Sequence, residues 1–395
     1  MRLRPQPSKR QTSNAERQTP NALRILILCY EWPPIGGGGG RAAKEIAEAL
    51  VRRGHEVQVQ TARFLGLPPY EVINGVHVHR GPSLRRNKDR SSPFEMASYV
   101  CLNIVPAIQR VREFKPDLIH AHFAVPTGAL ALPVSRLGKV PYLITAHLGD
   151  VPGAIPDQTD HLFRWLNPFI RPIWRNAAAI VAVSRFVAGL AKQAYGRDVN
   201  VIPNGISLQS RPDVPKSSSK TPRLIFVGRL NRQKNLDFLP DILTEIADLE
   251  WELDIVGEGE EGPALRTAFA KLSSRIFFHG WLSPAEVEAK LRNAEIFLLP
   301  SHVEGLSVAA LEALKFGLVV IGADIPSLRE CIEPNANGYL IPTGDRDLWI
   351  STLRTLLTDS GRRLTMRQQA WRLVERFDLE KIADEYEELF RATAT

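Results

Sequence analysis

Two acids and two bases stand out in this chain as residues whose types and spacing could do chemistry. Glu304 and Glu312 lie eight residues apart, and Arg229 and Lys234 lie five apart. The acids belong to a stretch that reads as a buried strand from Glu295 to Pro300, a tight loop carrying Glu304 and Gly305, and a helix with Ser307 as N-cap and Gly317 just past its C-terminus. Strand, glycine-bearing turn and helix start together present unpaired backbone N–H groups to a phosphate. Glu304 in the loop and Glu312 about a turn and a half into the helix can face one ligand lying across the helix start. A buried carboxylate accepts at both oxygens and can hold a vicinal pair of hydroxyls. One acid per sugar suits a ligand with a ribose at one end, a hexose at the other and a diphosphate between. The bland alternative is one glutamate in an exposed loop and another on a helix surface.

The bases follow the strand Arg223 to Gly228, in the turn Arg229-Leu230-Asn231-Arg232-Gln233-Lys234-Asn235 that precedes a helix over Leu236 to Ala247. Arginine can fork onto two phosphate oxygens and lysine adds a point charge, which suits a diphosphate; a solvated basic turn is the alternative. In the first half, Leu23 to Tyr30 is a nearly continuous apolar run, as in a buried parallel strand. The five glycines Gly36, Gly37, Gly38, Gly39 and Gly40 come next, then a helix over Arg41 to Arg53 and a strand over His55 to Thr61, a βαβ unit. Glycines here let a backbone approach a ligand or let a loop close over one. A dinucleotide fingerprint fits poorly, because the second strand ends in Gln60-Thr61-Ala62 with no acid to hold a ribose.

Other polar residues sit at strand ends, where open α/β sheets bind ligands. Pro141 to Ala146 is a strand followed by His147 and Asp150, for which a strand-end cap is the competing role. His120 and His122 end the strand that begins at Pro116, and His77 and His79 alternate on a hairpin strand after Asn74-Gly75. His120 and His122 have no further ligands nearby in sequence, and His77 and His79 read as a solvated strand edge, so no metal site is expected. Phe163 to Arg175 interleaves aromatics with Arg164, Arg171 and Arg175, which reads equally as a membrane-surface patch or as packing against the sheet.

The chain has 395 residues, enough for two domains, with 44% apolar and 24% charged residues as in ordinary globular proteins. No stretch reaches the roughly 18 apolar residues that span a bilayer. Three scattered cysteines argue for a reducing compartment. The net charge of +7 suits an anionic substrate or an anionic membrane surface, and the dispersed bases give no nucleic-acid module. Residues 1–22 read as a disordered basic tail without a signal-peptide core, residues 23–211 as one α/β domain, 212–222 as a Pro/Ser-rich linker and 223–378 as a second α/β domain. A last amphipathic helix runs over about residues 379–392.

Taken in order, these motifs resemble the family 4 (group 1) retaining glycosyltransferases of the GT-B fold, over about residues 23–390. The residues that carry the likeness are the glycine loop, His147 to Asp150, Val183-Ser184, Ile202-Pro203-Asn204-Gly205, Gly228-Arg229-Leu230 with Lys234, Val256-Gly257-Glu258-Gly259, the Glu304/Glu312 pair and Asn337-Gly338-Tyr339-Leu340. The resemblance implies two Rossmann-like, doubly wound domains facing across a cleft, with the last helix packed back on the first domain. It places a UDP- or GDP-linked hexose in the second domain. Arg229 and Lys234 would neutralise the diphosphate, Glu312 would hold the ribose and Glu304 the hexose. The amides of Leu306, Ser307 and Val308 would meet phosphate and sugar, with Gly305, Asn204, Gly228 and Gly257 in the binding motifs. His147, with Asp150 beside it, would lie near the reacting sugar, and Gly36, Gly37 and Gly38 would line the acceptor side.

No Asp-x-Asp motif accompanies the donor half, and no cofactor or metal is expected. Departures from the family pattern are Ser207, Ser307, Leu148 and Lys315-Phe316-Gly317; they bear on sugar and acceptor more than on fold. The acceptor is expected to be a glycan or lipid-linked hydroxyl, as in cell-surface polysaccharide or glycolipid synthesis. The location is expected to be cytoplasmic, with peripheral contact at the inner face of an anionic membrane. The alternatives are a non-catalytic sugar-nucleotide-binding protein of the same fold, or an epimerase or phosphorylase on a similar scaffold. A phosphorylase would want a pyridoxal-binding lysine, for which there is no signal.

Overall fold

The structure, a computed structural model, describes residues 22–88, 90–154, 161–216 and 219–394, the side chains of 161–164 excepted. The expected tail, except Ala22, lies outside the described residues, as do Ser217 and Ser218 of the expected linker. The first half contains strands β1 (Arg24–Cys29), β2 (Glu56–Ala62), β3 (Tyr70–Ile73), β4 (Val76–Gly81), β5 (Leu118–His122), β6 (Tyr142–Ala146), β7 (Ala179–Ala182) and β8 (Asn200–Val201). Its helices are α1 (Gly38–Arg52), α2 (Pro93–Phe114), α3 (Ala129–Gly138), α4 (His161–Asn176) and α5 (Arg185–Tyr195). The second half contains β9 (Arg223–Val227), β10 (Glu252–Val256), β11 (Ile276–Gly280), β12 (Ile296–Leu299), β13 (Val319–Ala323) and β14 (Gly338–Ile341). Its helices are α6 (Leu239–Glu245), α7 (Gly262–Ala268), α8 (Pro284–Asn293), α9 (Val308–Lys315), α10 (Arg346–Thr358) and α11 (Ser360–Leu373); α12 (Leu379–Ala394) closes the chain.

These strands form two sheets. The first runs β3-β4-β2-β1-β5-β6-β7-β8, parallel throughout except for β3, which pairs antiparallel with β4 as the Asn74-Gly75 turn demands. The second, β11-β10-β9-β12-β13-β14, is wholly parallel. Parallel strands are covered on both faces, which is why their sequences are apolar runs rather than alternations. Leu26, Leu28 and Ile144 face the core under α2, α3 and α4, while Ile25, Ile27 and Leu143 face α1 and α12.

Each sheet reverses its winding direction at one point. In the first, β1 has β2 on one side and β5 on the other; in the second, β9 has β10 and β12. Loops that leave such a switch point diverge to opposite faces and open a crevice at the carboxyl ends of the strands. The glycine loop leaves β1, the Arg229–Lys234 turn leaves β9 and the Glu304 loop leaves β12, so three of the candidate segments rise from switch points. The two crevices face each other: Asn204 of the first half donates to the Leu306 carbonyl of the second at 3.1 Å.

Helix α12 packs on the first sheet, not the second. Leu379, Ile382, Ala383, Tyr386 and Phe390 join Ile25, Ile27 and Ile46 in one core. Its position is keyed where Ile206 N donates to Phe377 O at 2.9 Å and Leu379 N donates to Ile206 O at 3.1 Å.

Two local expectations differ. Helix α1 begins at Gly38, not Arg41, so Gly38, Gly39 and Gly40 form its first turn. Glu31 makes that start: its Oε2 accepts from Gly37 N at 3.1 Å, and its carbonyl oxygen would stand 2.1 Å from a Cβ on Gly40. Only a residue without a side chain lets the helix pack so closely on that strand end. The helix expected over Leu236 to Ala247 is the shorter α6, preceded by a single 3-10 turn.

Candidate active site

One side of the cleft is built from two loops fastened together. His302 N donates to Gln233 O at 2.9 Å, Gln233 Nε2 to Val303 O at 2.9 Å and Asn235 Nδ2 to Pro300 O at 3.1 Å. The turn after β9 and the loop after β12 therefore move as one piece. Lys234 is thereby brought to Glu304, its Nζ donating to Oε1 at 2.6 Å, with both side chains largely buried. The same loop ends in Ser307, whose Oγ caps α9 by accepting from Ala310 N at 3.3 Å. The amino end of α9 at Val308, the Lys234 ammonium and the Arg229 guanidinium are gathered at one rim of the cleft. That arrangement concentrates positive potential where a diphosphate would sit.

The facing half meets it at close range. A Cβ built on Gly37 would stand 3.4 Å from Arg229 Nη2, and one on Gly38 would stand 3.4 Å from Val308 Cγ2. One on Gly39 would stand 2.6 Å from Phe123 Cζ and 3.1 Å from His147 Nδ1. Across the cleft, a Cβ on Gly305 would lie 3.3 Å from both Cβ and N of Leu148. The structure thus brings Gly36, Gly37 and Gly38 together with His147, Arg229, Lys234, Glu304, Gly305, Leu306, Ser307, Val308 and Asn204. Gly228 and Gly257 serve the same region differently. Gly257, at φ +130°, would put a Cβ 1.9 Å from the Gly228 carbonyl oxygen, so the pair brings two backbones into contact beneath the Arg229 turn. Beside Arg229 a cavity of about 690 Å³ opens between the halves, lined among others by Lys88, Arg90, Asn231, Arg266 and Trp281. This is within the size range of small-ligand pockets.

Two candidates are oriented otherwise than expected. Asp150 does not face the cleft: it is 1% exposed, and both carboxylate oxygens are taken by main chain. Oδ1 accepts from Ala124 N at 2.7 Å and Val125 N at 3.2 Å, and Oδ2 from His147 N at 2.8 Å. It is the strand-end cap, ordering the loop that carries His147. Burial pushes its carboxyl up to about 7 in spite of the three donors. Glu312 lies in the cleft wall but is occupied by a residue not singled out from sequence: Arg41 of α1 reaches over and pairs with its Oε1. Arg41 Nε also holds Glu45 at 3.2 Å. Burial raises the Glu312 carboxyl to about 7, Glu45 adding to the rise and Arg41 opposing it. A single cation directly after a glycine run was the only sequence signal for Arg41.

His147 is buried under the glycine turn against Phe123, their ring centroids 4.4 Å apart, and burial depresses its imidazole to about 4. It is therefore neutral near pH 7. Behind it His122 stacks at 5.8 Å and His120 at 4.2 Å from His122. Among the described residues no group of three or more His, Cys, Asp or Glu is placed to hold a metal ion. Phe123 adopts φ +72°, a conformation that a bulky residue rarely takes, and it turns the next two amides toward Asp150.

Comparison with known proteins agrees with the fold. Residues 36–210 match the family profile described as Glycosyltransferase Family 4, and residues 221–359 match Glycosyl transferases group 1. An uncharacterized glycosyltransferase of Methanocaldococcus jannaschii is 26% identical over 390 residues, covering 92% of this chain and 96% of the relative. A phosphatidyl-myo-inositol mannosyltransferase of Mycobacterium leprae is 25% identical over 391 residues, covering 94% and 98%. Among solved structures, HepE of Anabaena in complex with UDP-glucose superposes with a TM-score of 0.74 at 19% identity, covering 94% of this chain and all of that one. The chain belongs to the family 4, group 1 glycosyltransferases. It is a two-domain GT-B enzyme whose halves close on a common cleft.

Proposed function

We propose that this glycosyltransferase moves a hexose from a UDP- or GDP-linked donor to a hydroxyl of a glycan or lipid-linked acceptor, with retention at the anomeric carbon. The observation that carries this reading is the convergence of Arg229, Lys234 and the amino end of α9 at the rim that also holds Glu304. The demanding event is rupture of the bond between the anomeric carbon and the diphosphate oxygen. The pair of electrons leaves with the nucleoside diphosphate, and fixed positive groups on those oxygens are the main lever on the barrier. The acceptor oxygen bonds to the same face of the sugar, and its proton passes to the departing phosphate oxygen. Arg229 and Lys234 supply the stabilising charge, so this scheme assigns no step to a metal or cofactor. Glu304 positions hexose hydroxyls, Glu312 the ribose, and neutral His147 contacts the reacting sugar as a hydrogen-bond partner.

The mannosyltransferase name of one relative and the UDP-glucose bound to HepE are consistent with a nucleotide-linked hexose, and leave base and sugar open between UDP and GDP types. The acceptor side belongs to the first half, whose bases favour an anionic or lipid-linked acceptor at a membrane surface. The test is incubation with UDP- and GDP-hexoses and candidate acceptors, following release of nucleoside diphosphate. Release that is lost in Glu304→Ala and in Lys234→Ala supports the reading. Undiminished release from both variants overturns the site, and donor binding without any transfer would favour a non-catalytic binding protein.

A further inference from the structure

The first sheet has two outer coats of opposite chemistry. On one side, α12 carries Glu380, Asp384, Glu385, Glu387 and Glu388. On the other, α2, α3 and α4 pack side by side, with Tyr99, Ala107, Val134, Ile170, Ile173 and Trp174 turned into the core. Their outward surfaces carry large apolar side chains among the polar ones. Phe94 (71% exposed), Leu102 and Val105 follow one another along α2, Leu137 (66%) stands on α3, and Trp165 (81%) and Phe169 (74%) lie one turn apart on α4. The sequence left α4 open between packing inward and facing a membrane. Its inner side packs into the core, and its outer side leaves Trp165 and Phe169 exposed.

Charge says what covers this coat. Arg112, Arg136, Arg171 and Arg175 are exposed around the apolar residues, and Arg86, Lys88 and Arg90 are exposed in the segment leading into α2. The described acids of these helices are both engaged. Glu95 accepts from Ser92 N at 2.7 Å and from Arg86 N at 2.9 Å, and Glu113 pairs with Arg110 at 3.3 Å. An aromatic and aliphatic crest rimmed by cations is complementary to an anionic bilayer, where rings enter the headgroup layer and guanidinium groups meet lipid phosphates. A second copy would oppose like charges. The coat also borders the site: Lys88 O, in the basic segment, accepts from Gly36 N at 2.8 Å in the glycine loop.

We infer that the α2–α3–α4 face is the surface by which this enzyme docks on an anionic lipid bilayer, seated on Trp165 and Phe169 with Arg171 and Arg175 at the phosphates. This deepens, and rests on, the membrane-side acceptor proposed above. The test is co-sedimentation of the full chain with vesicles of phosphatidylcholine alone or with about one third phosphatidylglycerol, at about 0.1 M and about 0.5 M salt. The wild type should bind only the anionic vesicles, and less at high salt. Trp165→Ser/Phe169→Ser and Arg171→Glu/Arg175→Glu should each weaken binding by about tenfold or more, with melting temperature and transfer to a water-soluble acceptor unchanged. Leu65→Ser, equally exposed but outside this face, should bind as the wild type does. A wild type that stays in the supernatant overturns both the face and the membrane contact. Vesicle binding that is indifferent to the two double variants, or as sensitive to Leu65→Ser, overturns the face alone. Failure of transfer to any acceptor would be a separate result, bearing on the proposed function and not on docking.

Discussion

Arg41 in the second turn of α1 lies on the carboxylate of Glu312 in α9, so a charge of the first half sits on the acid proposed to hold the donor ribose. Glu312 is 7% exposed, and burial holds its carboxyl near about 7, well above its ordinary 4.5. Gripping two hydroxyls needs the ionised form, so nucleotide affinity should rise as pH increases through about 7. Arg41→Ala removes the opposing cation and should move that midpoint upward; Glu312→Gln should bind weakly with no such midpoint. Calorimetric titration between about pH 5.5 and 8.5 checks this. The stability sign is opposite. The folded chain keeps the Glu312 proton that the unfolded chain releases, so stability falls between pH 4.5 and about 7, by about 3 kcal/mol at most. That decline should be smaller in Glu312→Gln, the remainder coming from Asp150, whose carboxyl burial also raises to about 7.

Gly39 is packed under Phe123 and His147, where a Cβ would stand 2.6 Å from one ring and 3.1 Å from the other. Gly39→Ala should displace both rings at a cost of about 1–3 kcal/mol in stability. Transfer should fall by more than this loss of folded protein explains, measured as kcat on protein still folded at the assay temperature.

Asp150 holds the loop that carries His147 through three main-chain hydrogen bonds. Asp150→Asn replaces one accepting oxygen by a donor that confronts a backbone N–H, at a cost of about 1–3 kcal/mol. A lower melting temperature together with lower kcat is expected, whereas a residue touching substrate alone would leave the melting temperature in place.

His147 is held neutral, near about 4. The rate–pH profile of transfer should therefore show no limb near pH 6.5 from this imidazole. His147→Gln should lower the rate while keeping the profile's shape above about pH 5. A limb near pH 6.5 that disappears in the variant would show that His147 titrates in catalysis.

Much of this architecture was legible because buried parallel strands are written as unbroken apolar runs, β1 being the plainest, and because Asn74-Gly75 and Ser307 carry local signals for a turn and a cap. The start of α1 was not, since glycine runs argue against helix and only the contact with Glu31 overrides that preference. The direction of Asp150 was equally hidden: whether a strand-end acid turns outward or back depends on the left-handed Phe123, twenty-seven residues earlier. The Arg41–Glu312 pair spans two domains and leaves no spacing to read. The Lys234–Glu304 contact joins residues seventy positions apart, yet each half of it stood in a turn that directly follows a strand read from the sequence.

The proposed mechanism requires a diphosphate to lie against Arg229 and Lys234 at the tip of α9. It is tested most directly by calorimetric affinities of a nucleoside diphosphate (UDP or GDP, whichever binds) and of its parent nucleoside, for wild type, Arg229→Gln and Lys234→Ala. Each substitution should weaken the diphosphate by about tenfold or more and leave the nucleoside unchanged. Equal losses for both ligands, or no loss for either, would contradict the account.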